Sequence, residues 1–206
     1  MKEKDLEENK VYDEEDDTNF ANLKGIFSDR ELKELNRLSK KADMLGTEAG
    51  NISVKIFDNV IDLHKRLNKE EVPEAEIINK INGIIEMLKQ TDKVELEFIE
   101  TSTKLAKVTL DAEMRIVKNA ASSKRISKNK IKEAMDDIED QKNKMEKLNE
   151  LLIRINDTTK ELINIMEEAK QNVSQRLKLL EQAIEVFRKR AEMYDVVEIF
   201  SAVMLS

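Results

Sequence analysis

Cysteine and tryptophan are absent from this chain, proline and histidine occur once each, and glycine occurs four times. Each shortage removes a class of chemistry. Without thiols there is no disulfide, no thiolate zinc site and no cysteine nucleophile. With four glycines the chain holds neither G-x-x-x-x-G-K nor G-x-G-x-x-G, the loops that bring backbone amides against phosphates. Aromatic residues make up 4% of the chain, too few for a base-stacking platform of the kind that binds single-stranded nucleic acid. No run of about 18 apolar residues is present, so no membrane-spanning helix is expected. The opening Met1, Lys2, Glu3, Lys4, Asp5 lacks an apolar core of the secretory type, and the expected location is cytoplasmic.

The remaining composition, 38% charged and 40% hydrophobic, is that of helical bundles and coiled coils. From Ile84 to Ser206 there are 123 residues without glycine or proline. Such a stretch, rich in Lys, Glu, Leu, Ile and Met, has little means of forming sheet or tight turns. As one helix it would extend roughly 185 Å at about 1.5 Å per residue. The expected fold is therefore all-α: an elongated antiparallel helical bundle with long coiled-coil-like helices, residues 20–206 forming one unit. Residues 1–19 are expected to be a disordered acidic tail. They carry nine acids against Lys2, Lys4 and Lys10, most of the net charge of −7, and too few apolar residues to offset ordering. The tail is either solubilising or a docking segment for a basic partner.

Phe20, Leu23, Ile26 and Phe27 form an apolar cluster suited to anchoring the start of the bundle. Ser28, Asp29, Arg30 and Glu31 then spell a capping box. Leu32, Leu35, Leu38, Ala42 and Leu45 follow on one face, with Gly46 as the expected stop. A second helix carries Ile52, Ile56, Val60, Leu63 and Leu67 and ends between Asn68 and Val72. Pro73 suits the first turn of a third, with Ile77, Ile78, Ile81, Ile84, Ile85 and Leu88 as its apolar face. That helix is expected to continue towards Ile116, with Thr91 and Asp92 as its weakest point. Ser122 and Ser123 mark the next break.

Counting by sevens from Ile138 gives Met145, Leu152, Thr159, Met166, Val173, Leu180, Phe187 and Tyr194, apolar or aromatic at eight of nine positions. This is bundle or coiled-coil spacing. Thr159 interrupts it, and Asn156, Asp157 and Thr158 beside it are poor helix formers. Either a kink or a hairpin is expected there. Leu152, Met166, Val173, Leu180 and Phe187 are the candidate association seam, for self-association or for a partner helix. The apolar end, Val196 to Ser206, is expected to pack against residues 73–90 or to meet a partner.

Charge supplies a second candidate surface. Between Met114 and Lys132 stand seven basic residues and no acid: Arg115, Lys118, Lys124, Arg125, Lys128, Lys130 and Lys132. A hairpin at Ser122 would gather them at one tip, with Arg125, Lys128 and Lys130 as the anionic contact. That tip could meet lipid headgroups, the chain's own acidic tail, or solvent alone. Overall negative charge and the lack of a DNA-binding motif argue against nucleic acid.

No catalytic constellation emerges. His64, the sole histidine, lies beside Lys65 and Arg66 on a charged face, and Ile61 stands where a di-iron motif would need glutamate. Asp136, Asp137, Glu139 and Asp140 lack the glycine turn of an EF-hand. The expectation is a non-enzyme with no metal, cofactor or small-molecule substrate.

The segment Ala42, Asp43, Met44, Leu45, Gly46, Thr47, Glu48, Ala49, Gly50, leading into an amphipathic helix through Phe57 and Leu63, resembles the amino-terminal region of TelA-like toxic-anion (tellurite) resistance proteins. The resemblance covers roughly residues 32–68 and rests on Gly46, Glu48 and Ala49. It implies a stress-related, non-enzymatic role for a cytoplasmic helical chain. The carboxyl-terminal portion departs from that family's pattern. The leading expectation is a helical scaffold or interaction module. A membrane-surface protein using the basic tip and the apolar end is the alternative, and a pore-forming bundle lacks the apolar hairpin it would need.

Overall fold

A computed structural model describes residues 27–122 and 127–205, with side chains as far as residue 197. Four long helices account for them: α1 (Asp29–Lys69), α2 (Glu74–Ser122), α3 (Lys128–Gln171) and α4 (Arg176–Leu205), with a 3-10 turn (Val173–Gln175) before the last. Consecutive helices run antiparallel, α2 packs on α1 and α3, and α4 closes the ring by packing on α3 and α1. This is an up-down-up-down four-helix bundle. The expected acidic tail, 1–19, lies outside the described residues, as do Phe20, Leu23 and Ile26.

The start of α1 follows the sequence closely. The Ser28 hydroxyl accepts from the Glu31 amide at 3.4 Å, and Glu31 reaches back to the Ser28 amide at 2.8 Å. Arg115 of α2 grips the same carboxylate through both terminal nitrogens, at 2.6 and 3.0 Å. That guanidinium, followed by the serine, holds the Glu31 carboxyl down at about 2. Phe27 is buried against Leu35 and Ala112.

Gly46 does not end the helix. α1 runs unbroken through both Gly46 and Gly50, because the stripe Leu38, Ala42, Leu45, Ala49, Ile56, Val60 and Leu63 keeps its spacing across them and all seven are buried. Burying a side chain of Leu, Ile or Val size stabilises by about 1.5–3 kcal/mol, more than the roughly 1 kcal/mol that glycine costs in a helix. The three residues behind the family resemblance sit where α1 meets α2. Gly46 lies under the Phe98 ring, Ala49 packs with Leu45 and Val94, and Glu48 accepts from Gln90.

α2 is continuous over 49 residues, with no restart at Asp92. Pro73 directly precedes it, and its carbonyl accepts the Glu76 and Ile77 amides. α2 ends at Ser122 as expected, and α3 begins after the Ser127 cap. Asn156 to Thr159 is not a hairpin, since α3 stays helical through it. The actual turn comes at Asn172–Gln175, where Val173, counted in the heptads, is 64% exposed.

The end of the bundle at Pro73 is clamped by two arginines. Arg66 bridges Glu70 and Glu76 across the α1–α2 turn. Arg176, 3% exposed, donates to the Ala169 and Lys170 carbonyls that end α3, and forks onto both oxygens of Glu74 at 2.8 Å. Above these clamps lies the main core, with Ile56, Leu63, Ile81, Leu88, Leu162, Met166 and Leu180 essentially inaccessible. It is the start of α4, not the apolar end of the chain, that lies beside residues 73–90. The end of α4 from residue 196 to 205 lies past the level of Glu95, since Arg190 already meets Glu95.

Gly83 is exposed inside α2 with open space around its missing Cβ. Gly83→Ala should therefore raise stability by about 0.5–1 kcal/mol, read as a higher urea midpoint with an unchanged slope.

Candidate functional site

All four helices contribute to one polar layer inside the bundle. Glu95 of α2 and Arg190 of α4 are 4% and 2% exposed and form an ion pair. Every oxygen of the glutamate is shared. Oε1 accepts from Arg190 and from the Tyr194 hydroxyl at 3.1 Å. Oε2 accepts from the Thr159 hydroxyl at 2.8 Å and the Asn156 amide at 3.3 Å. Asn156 also donates to the Asp92 carboxylate at 2.9 Å. Arg190 donates further to Thr159, to Ser53 of α1 at 3.3 Å and to the Ile155 carbonyl at 3.4 Å, with its guanidinium carbon 5.5 Å from the Tyr194 ring centre.

This layer explains why poor helix formers stand in the middle of α3. Asn156 and Thr159 are 2% and 0% exposed, and their polar atoms satisfy a buried carboxylate rather than open a turn. An unpaired charge at this depth would be strongly unfavourable, whereas a paired and hydrogen-bonded one is tolerated. Burial, followed by the opposing influences of Arg190 and Glu95, pushes the Tyr194 phenol up to about 12.

The outer side of the layer opens between α1 and α4. There a groove of about 360 Å³ is walled by Val54, Phe57, Phe187 and Ala191, with Ser53, Arg190 and Tyr194 beneath and Gly50 at one side. Phe57 and Phe187 pack at 5.5 Å between ring centres. A second groove, also about 360 Å³, runs between α2 and α3 towards their hairpin, with Ala106, Leu110, Met114, Ile138 and Met145 along its apolar floor. Among the described residues there is no group of three or more His, Cys, Asp or Glu able to hold a metal. His64 faces Glu181 at 3.5 Å, on the bundle's outside.

The candidate seam is internal. Leu152, Met166, Leu180 and Phe187 are between 0% and 7% exposed within the chain's own core, and only Val173 faces solvent. The heptad count ran through two antiparallel helices whose stripes meet the same core, so its period reports intramolecular packing. Of the anionic-contact residues, Lys128 and Lys130 are exposed in the first turn of α3, and Arg125 lies outside the described residues. Arg115 is engaged by Glu31.

Glu95 and Arg190 were missed in the sequence, although a signal exists. Glu95 stands seven residues after Leu88 and Arg190 seven after Ala183, so both occupy stripe positions, as Thr159 does on α3. Charge on an apolar stripe in two helices is the mark of a buried pair.

The fold and this layer define a four-helix bundle with an ionic core, a class that carries many unrelated functions. Comparison with known proteins finds no matching family model, curated protein or solved structure.

Glu95→Leu leaves Arg190 buried without its partner and should cost about 3–5 kcal/mol, while Glu95→Leu with Arg190→Met should recover most of the loss. Urea denaturation of the four corners of this cycle measures the coupling. For Tyr194, the unfolded phenol ionises near 10.0 and the folded one at about 12. Between these values the folded state keeps a proton that the unfolded state has released, so stability falls as pH rises through the window. In a Tyr12→Phe background, absorbance at 295 nm should follow a single phenol titrating at about 12.

Proposed function

We propose that this chain is a non-enzymatic helical interaction module that self-associates through the groove between α2 and α3. The observation that carries this reading is the groove itself: two helices lie side by side with half-buried Ala106, Leu110, Met114 and Met145 on an open floor. Such a floor accepts the apolar stripe of another helix. Its rim holds Lys107 and Asp111 on α2 and Glu139, Lys142 and Glu146 on α3, charges of both signs that suit a partner of this chain's own composition. The burial of Leu152, Met166, Leu180 and Phe187 in the chain's own core favours this outer face over the heptad seam as the contact. The stress-related setting implied by the resemblance over residues 32–68 is part of the same reading.

A second reading, binding to an anionic membrane surface, has one observation in its favour. Lys118, Lys128, Lys130 and Lys132 are exposed at the hairpin end, and none forms an ion pair among the described residues. No described helix is long and apolar enough to cross a membrane, so contact would be at the headgroups.

Light scattering on purified protein at micromolar concentration should give a dimer mass. Leu110→Lys with Met145→Lys should return it to monomer with unchanged helical circular dichroism. A monomeric wild type over that range sinks the self-association reading. Co-sedimentation with vesicles containing phosphatidylserine at low salt tests the second, and a protein that stays in the supernatant dismisses it.

A further inference from the structure

We propose that the acidic run Asp13 to Asp17 docks on the hairpin end of its own chain, against the exposed lysines of α2 and α3, and covers that end against other polyanions. The contact involves neither groove and forms whether or not the chain self-associates. While it holds, it masks the lysines that an anionic membrane would need.

Topology puts the two partners at the same end of the bundle. α1 and α2 are antiparallel, so the described chain begins beside the end of α2: Phe27 is buried against Ala112, and Glu31 holds Arg115 at 2.6 Å. Lys118 stands three residues beyond Arg115, about 4.5 Å further along the axis at about 1.5 Å per residue. Lys128, Lys130 and Lys132 open α3, which packs on α2. Residues 1–26 therefore enter the bundle at its lysine end and not at its Pro73 end.

Charge and reach favour the contact. The four lysines are exposed and form no ion pair among the described residues, and Glu31 is already taken by Arg115. The first turn of α3 adds no acid of its own, whereas α1 and α2 each carry two there. Asp13 to Asp17 are five consecutive acids, and residues 18–26 hold no charge except Lys24. Asp17 stands ten residues before Phe27, an extended span of at most about 36 Å. Adjacent helix axes lie about 8–10 Å apart, so the start of α3 is within that span. The Pro73 end is not, because the 41 residues of α1 extend about 62 Å. A tether this short gives the acids an effective concentration on the order of millimolar, so a contact too weak between separate molecules forms within one.

The chain lacks cysteine, so Thr18→Cys supplies one site for a nitroxide label on the full chain. At about 0.01 M salt, where charges act over about 30 Å, the label should broaden the ¹⁵N-resolved amide signals of Lys128, Lys130 and Lys132. At about 1 M, where that range is about 3 Å, the broadening should fall about threefold. Asp13→Asn, Glu14→Gln, Glu15→Gln, Asp16→Asn and Asp17→Asn together should give the same fall at low salt, with unchanged helical circular dichroism. Lys128→Glu with Lys132→Glu should reproduce it at Lys130, and Lys69 at the Pro73 end should stay sharp throughout. Equal broadening in the neutralised chain means that the tether alone brings the label near, and overturns the proposal. Broadening seen only between labelled and isotope-enriched copies puts the acids on a second chain, and overturns it as well.

Discussion

The ion pair between Glu95 and Arg190 sets the register of the whole bundle. Apolar stripes tolerate sliding, because one leucine layer resembles the next. A buried carboxylate that needs donors from Arg190, Tyr194, Thr159 and Asn156 at once tolerates none. Shifting α4 by one turn would move the Arg190 guanidinium about 5.4 Å along the axis and leave two charges unmatched in the interior. The layer thus supplies specificity that the aliphatic core lacks, and the cost of burying its charges is met by the completeness of its hydrogen bonding.

This arrangement places both candidate surfaces. The apolar stripe of α3 and α4 is spent on the core, and the open grooves lie on the outside, one between α1 and α4 and one between α2 and α3. They differ in chemistry. The first lies over the ionic layer and is lined by three of its side chains, Ser53, Arg190 and Tyr194, and the second has an aliphatic and thioether floor under a rim of mixed charge. The two sides of the bundle are therefore distinguishable despite its repetitive sequence.

Helix content, the Ser28 cap, the break at Ser122 and the apolar faces of α1 and α2 were legible in the sequence because each depends on local spacing and capping chemistry. Four features were not. Gly46 and Gly50 signalled a stop, yet the unbroken stripe from Leu38 to Leu63 outweighed them. Asn156 to Thr159 signalled a turn because propensity prices these residues for an exposed helix, whereas their real partners come from other helices. The true turn at Asn172 was concealed by Val173, which fell into the heptad count by position while pointing to solvent. Glu95 alone takes partners 61 to 99 positions away, and no local pattern states that pairing.

The two arginine clamps give the molecule a direction. Arg66 and Arg176 tie the two turns of chain at the Pro73 end together, where carbonyls at the end of α3 and Glu74 at the start of α2 share one buried guanidinium. Towards the opposite end, the described contacts include the Arg115–Glu31 pair and the smaller cluster around Phe27. A clamp of this kind makes local opening costly at the Pro73 end, because parting these helices would strip a buried guanidinium of its acceptors.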